Sequence, residues 1–220
     1  MRKIFFFAVI ICLVVVVACS KTSTSSNPSV NNATSILPLK AGNIWIYQDS
    51  GFDANANLLG SYKDSSFITS LSTSRSGVNF YEINDSLGWF GTGSFLAVDP
   101  SNTSLYGLDS LNAASPYIFF ANAPSDGYLI GSSSDLSNPA CIGLDALYGF
   151  ASTYNVAGHA CYKSLDDVKD CNGNIIYAVV YYISPGVGIV RIEEYSPNPN
   201  STTNNLYLDY SQTLQSNKLN

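Results

Sequence analysis

The sequence predicts an all-β body: a curved antiparallel sheet forming an incomplete or half barrel, with at most one or two short helices. Three observations carry that expectation. Short runs of β-branched and aromatic residues recur along the chain, set between Gly, Asn, Ser and Pro clusters that read as turns. The strongest run, Asn174 to Ile183, is apolar on both faces, so both faces must be covered. Helical patterning is weak and confined to 135–150, around Ile142, Leu144, Leu147 and Tyr148.

The elements follow in order. Asn43 to Asp49 (NIWIYQD) opens the series, and Val78 to Ile83 (VNFYEI) is the next clear strand. Leu87 to Phe90, Ser94 to Val98 and Pro116 to Phe120 are shorter apolar runs. In 174–183, Ile175, Tyr177, Val179, Tyr181 and Ile183 share one face, and Ile176, Ala178, Val180 and Tyr182 share the other. Ser184-Pro185-Gly186 reads as a type II turn into Val187 to Tyr195. Gly42, Gly186 and Gly188 are the glycines expected at structural bends. Leu206 to Leu214 closes the series, with Leu206, Leu208 and Tyr210 opposite Tyr207 and Asp209. A second sheet, a plug or a ligand must cover the second apolar face. Ordinary burial is the plain reading; the sharper one is a cavity lined by Trp45, Tyr47, Tyr177 and Tyr181.

The first residues carry an address. Arg2 and Lys3 precede an apolar run from Ile4 to Val17, too short for a comfortable membrane span. The run ends in Val16-Val17-Ala18-Cys19, which resembles the bacterial lipobox. That resemblance implies a signal peptide over 1–18 and acylation of Cys19 with diacylglycerol and palmitate-type chains, a stable membrane anchor. Residues 19–36 then form the lipidated cysteine and a Ser/Thr/Asn tether, too poor in apolar residues to fold. As a flexible coil it would reach about 20–25 Å. Residues 37–220 are expected to form a single β domain. Ser20 follows the lipid site, and no acidic residue precedes Asp49. By analogy with lipoprotein sorting rules, these features favour the outer membrane and its periplasmic face over the cell surface.

Composition narrows the partners. Charged residues are 12% of the chain, the apolar share is 46%, and the formal charge is −6. The surface is therefore neutral and hydrogen-bonding, and net acidity excludes a nucleic-acid partner. The expected partners are the membrane, through the anchor, and an apolar ligand or an envelope protein.

Three motifs carry a family resemblance. Pro38-Leu39-Lys40-Ala41-Gly42-Asn43-Ile44-Trp45-Ile46-Tyr47 looks like the opening P-L-x-x-G-N-x-W-x-Y of a set of small bacterial lipoproteins. Ala157-Gly158-His159-Ala160-Cys161-Tyr162-Lys163 is similar to their middle motif, departing from it at His159 and Ala160. Tyr181 to Val190 (YYISPGVGIV) resembles their strand-turn-strand. The chain thus resembles the TapB-like lipoprotein group. The resemblance implies an incompletely closed antiparallel barrel, related to the half-barrels of lipoprotein-carrier factors. These motifs are structural and imply no chemistry.

Catalytic and metal readings are thin. His159 and Cys161 stand two apart, but no orienting third group is visible. Cys141, Cys161 and Cys171 leave an odd thiol in an oxidising compartment; Cys161–Cys171 is the first candidate disulfide and Cys141–Cys161 its rival. Asp166, Asp167, Asp170, Asn172 and Asn174 crowd one loop, but the glycine of an EF-hand is misplaced and Tyr181 stands where its last Glu belongs. The expectation is no metal, with an Asn-Gly hairpin turn instead. Asp85-Ser86-Leu87 and Asp109-Ser110-Leu111 match a short O-glycosylation pattern at Ser86 and Ser110. No motif calls for a cofactor. The function expected is a non-catalytic binding module for an apolar or amphipathic ligand or a protein partner. The alternative is a glycan-binding or adhesion module using Tyr62, Tyr106, Tyr128, Tyr154 and Tyr207 as stacking platforms.

Overall fold

The computed structural model describes residues 35–85, 92–113, 115–134, 144–201 and 205–220. The strands are β1 (Ile44–Phe52), β2 (Leu58–Arg75), β3 (Val78–Asp85), β4 (Thr92–Val98), β5 (Ser104–Leu108) and β6 (Tyr117–Ala121), followed by β7 (Tyr128–Ser134), β8 (Leu144–Val156), β9 (His159–Lys169), β10 (Ile175–Ser184), β11 (Gly188–Pro197) and β12 (Leu206–Lys218). All pair antiparallel in one 12-stranded sheet of order β6-β5-β4-β3-β2-β1-β12-β11-β10-β9-β8-β7. Every strand except the pair β6 and β7 therefore lies beside its sequence neighbours, and β12 returns to pair with β1. The sheet curls into a nearly closed barrel whose one unsealed seam lies between β6 and β7. No helix occurs among the described residues.

The curl explains the two-sided strand. Tyr181, Val179 and Ile183 point inward and join Trp45, Tyr47, Ile68, Ile83, Leu96 and Ile192 in the main core. The inner face thus covers itself, without a second sheet. Outside, Ala178 and Val180 are small and shielded by their neighbours. The Tyr182 and Tyr195 hydroxyls donate to Glu193 at 3.4 and 2.9 Å, and Arg191 pairs with Glu193 at 2.9 Å. A smaller outer cluster, Phe80, Phe95, Ala97 and Leu108, packs with Ala113.

One end of the barrel is closed by residues 35–37. Ser35, Ile36 and Leu37 are buried, so residues 35 and 36, expected in the tether, belong to the body. The opening motif and the strand-turn-strand motif interlock there. The Trp45 indole N–H donates to the Val187 carbonyl at 2.6 Å, and the Tyr47 hydroxyl donates to the Ile189 carbonyl at 3.1 Å. Gly188 makes room for them: a Cβ there would lie 2.7 Å from Leu37 Cδ1 and 3.2 Å from Trp45 Nε1. Asn43, fully buried, ties the two ends of the body together. Its amide donates to the Pro38 carbonyl, and its oxygen accepts the Asn220 N–H at 2.8 Å. The turn at 184–187 is type II: Val187 N–H bonds to the Ser184 carbonyl at 3.0 Å, and φ at Gly186 is +78°. Gly42 and Gly188 also have positive φ.

Residues 144–150 form the first half of β8, not helical turns. Leu147 points inward at a position paired with Asp166, while Tyr148 points outward, so the helix-like spacing of these apolar residues arises from a strand buried on one face and aromatic on the other. Leu87 to Phe90 and Ile142 lie outside the described residues.

Candidate functional site

The seam is where the barrel leaves space. Strand β6 does not meet the edge of β7; its end tucks over the inner face of β8 and β9. The Ser164 hydroxyl donates to the Phe119 carbonyl at 3.1 Å, linking β9 to β6 side-on. Gly149 lies under the overlap. A Cβ at that position would meet Ala123 Cβ at 2.7 Å, Ile130 Cδ1 at 2.9 Å and the Ala121 carbonyl at 3.0 Å. On the other side of β6, the Tyr117 ring lies against Gly107, its register partner on β5.

Between β6 and the inner wall is a cavity of about 380 Å³. Tyr117, Ile118 and Phe119 supply one side. Ile130, Gly131 and Ser132 of β7, Asp145 and Leu147 of β8, Asp166 of β9 and Tyr181 of β10 supply the rest. Register explains why these residues meet. Leu147 pairs with Asp166, which pairs across with Val179, and Asp145 lies two residues from Leu147 on the same face. The Phe119 and Tyr181 rings tilt against each other with centroids 5.7 Å apart.

The cavity's polar feature is a carboxyl pair. Asp166, half-buried, and Asp145, exposed, project from neighbouring strands to the same side of the cavity. Burial pushes the Asp166 carboxyl up to about 7; the charges of Asp145 and Asp167 add to this. The Asp166 Oδ1 is buried without a hydrogen-bond partner. Tyr117, at the rim, is pushed up to about 12, first by burial and then by Asp109. Chemically, the site offers two carboxyls and an aromatic–aliphatic wall.

Further carboxyls line the same inner face. Asp49 is fully buried, and burial foremost raises its pKa, with the Asp64 charge adding to this. Asp64 and Asp85 are buried beside Tyr47, whose own pKa is raised by burial first and then by Asp85, Asp49 and Asp64. Glu194 accepts the Tyr177 hydroxyl at 3.0 Å and is raised by burial. The inner face thus carries carboxyls and tyrosines beside its apolar core.

The structure distributes the expected site residues unevenly. Of the four expected cavity residues, only Tyr181 lines the cavity; Trp45 and Tyr47 are packed into the plugged end, and Tyr177 is engaged with Glu194. Cys161 is a buried free thiol, while Cys171 is disulfide-bonded, so the expected Cys161–Cys171 bond is not formed. The reason is topological. Cys161 points into the core near one end of β9, and Cys171 lies in the turn beyond the other end. Burial pushes the Cys161 thiol up to about 11, and its sulfur lies 3.5 Å from the His159 carbonyl, which leaves it a poor nucleophile.

The crowded acidic loop is a turn. Asp170 accepts the Asn172 and Asn174 N–H groups at 2.8 Å each, while strand alternation sends Asp166 inward and Asp167 outward to Lys169 at 3.4 Å. Among the described residues, no group of three or more His, Cys, Asp and Glu is placed to hold a metal. Ser110 is exposed, whereas Ser86, Cys141 and Cys19 lie outside the described residues. The five tyrosines of the glycan alternative sit on β2, β5, β7, β8 and β12 and do not form a single platform.

No family model and no curated protein matches the chain. Two solved structures are similar in fold. A candidate lipoprotein from Parabacteroides distasonis is 16% identical, with a TM-score of 0.44, over 84% of this chain and 99% of that one. A candidate exported protein with YmcC-like fold from Bacteroides fragilis is 15% identical, with a TM-score of 0.37, over 83% of this chain and 98% of that one. Neither likeness bears on function.

Proposed function

We propose that this protein is a lipid-anchored envelope lipoprotein of the TapB-like group that binds a small amphipathic molecule in the seam cavity without transforming it. The cavity carries the reading. Its volume falls at the small end of the range of ligand sites, its walls are mostly apolar, and its few polar groups converge from β8 and β9. The sequence around Cys19 supports the anchor, and the interlocked opening and strand-turn-strand motifs support the group. An outer-membrane position facing the periplasm fits the residues after Cys19.

A neutral probe tests the cavity. Full-length protein in lipid nanodiscs should bind 4-phenyl-1-butanol, read by saturation-transfer NMR. Leu147→Trp, which fills the space from β8, should remove that signal while the β-sheet circular dichroism persists. Equal signals from both proteins would place binding elsewhere and sink the reading. The anchor is tested separately: Cys19→Ala should abolish labelling by a palmitate analogue, and continued labelling would refute the anchor.

A further inference from the structure

We propose that the seam cavity selects an amphipathic organic cation, with its amine on the Asp145–Asp166 pair and its apolar body between β6 and the inner wall of β8–β10. This rests on the reading of the cavity as a binding site and adds the class of ligand. Three observations carry it.

The first is the sign of the interior. Asp145 and Asp166 line the cavity itself, and Asp49, Asp64, Asp85 and Glu194 stand on the same inner face. No basic side chain of the described residues points inward. Lys63 alternates outward between Tyr62 and Asp64. Lys163 lies over the outer Phe150 ring at 3.9 Å, Lys169 pairs with Asp167, and Arg191 pairs with Glu193. Lys40, Arg75 and Lys218 are exposed near the plugged end. Low-dielectric walls lined by one sign of charge concentrate the opposite sign.

The second is an open acceptor. Asp166 Oδ1 is buried without a hydrogen-bond partner in a carboxyl that lines the cavity. An ammonium group has three donors and no acceptor, which suits two carboxyls that otherwise repel. The third is the wall. Phe119, Tyr181 and Tyr117 offer ring faces, which attract a desolvated cation and pack an aromatic or aliphatic body alike. An amine fits better than a metal ion, because two carboxyls fall short of the ligand set that a hard cation takes from protein oxygens.

The test varies charge at constant shape. Full-length protein in nanodiscs at about pH 8 is titrated with 4-phenylbutylamine, 4-phenyl-1-butanol and 4-phenylbutyrate. The amine should bind about tenfold or more tighter than the alcohol, and the butyrate should bind weakest. In the Asp145→Asn/Asp166→Asn double variant, the amine should fall to the alcohol's affinity while alcohol binding persists. Alcohol or butyrate binding as tight as the amine's in the unmodified protein would overturn the charge selection and leave the cavity reading standing. A double variant that folds and keeps the amine preference would overturn the assignment to these carboxyls. Binding of none of the three would overturn both readings. The charge order in the unmodified protein decides the matter even where the double variant fails to fold.

Discussion

Asp166 is one residue from Asp167 in sequence and faces the opposite way in the barrel. Its raised pKa makes a stability statement. The folded chain holds the Asp166 proton more tightly than the unfolded chain, in which an ordinary carboxyl titrates near 3.8. Its contribution is therefore full below about pH 4 and is lost as pH rises through about 7. Asp166→Asn should flatten that decline. Relative to the unmodified protein it should gain on the order of 1–2 kcal/mol between about pH 4.5 and about pH 8, after allowance for solvent screening of a partly exposed group. Denaturant midpoints at the two pH values check this, and parallel shifts in both proteins would show that Asp166 titrates normally. The acidic pair was not legible in the sequence. Asp145 and Asp166 are far apart in the chain and meet through register alone, whereas adjacency drew attention to Asp166, Asp167 and Asp170 as one loop. The aromatic residues were legible as interior, because Trp45, Tyr47, Tyr177 and Tyr181 alternate with residues of the other face. Which of them borders empty space was not, since that depends on where β6 crosses.

At the scale of elements, the apolar runs 43–49, 78–83, 94–98, 116–120, 174–183, 187–195 and 206–214 became strands where they were expected, the run at 144–150 became a strand in place of helical turns, and the polar strands escaped notice. Strand β2 runs for 18 residues, yet only Asp64, Ser66 and Ile68 are buried in it. A strand whose outer face meets solvent and whose inner face carries Asp and Ser has no hydrophobic alternation to read. The hairpin β10–β11 is the opposite case. Its Gly186 adopts φ of +78°, a conformation that a β-branched side chain resists. Gly186→Val should cost about 1–3 kcal/mol, whereas Ser65→Thr, on the exposed face of β2, should cost almost nothing. Equal denaturant midpoints for the two variants would remove the hairpin from its central place. Gly149 matters for a different reason: space. A Cβ there meets backbone and side chains of the chain that overlies it. Gly149→Val should lift the end of β6 from β8, destabilise the body by about 1–3 kcal/mol and weaken 4-phenyl-1-butanol binding. Unchanged stability and binding would show that β6 does not cross there.

The whole molecule has its weakest line at the seam. Strands β6 and β7 each lack a ladder partner on one side, while β1 and β12 are paired on both. Hydrogen exchange should therefore find amides of β7 exchanging faster than those of β1 and β12 by orders of magnitude, because unpaired edges open without breaking the ladder elsewhere. Uniform protection around the barrel would contradict the unsealed seam. The location of that seam could not be read from the sequence, since both strands flanking it are short and unremarkable.

The pairing of the first strand with the last also sets a timetable for assembly. Residues 44–51 align with residues 210–218, and the Asn43 side chain accepts the Asn220 N–H. Until β12 has arrived, β1 has a bare edge and the barrel cannot shut. A chain threaded N-terminus first through a narrow channel thus cannot reach its folded form prematurely and jam the passage. Closure waits on the arrival of β12, and the sequence distance between these strands makes it slow as well as late.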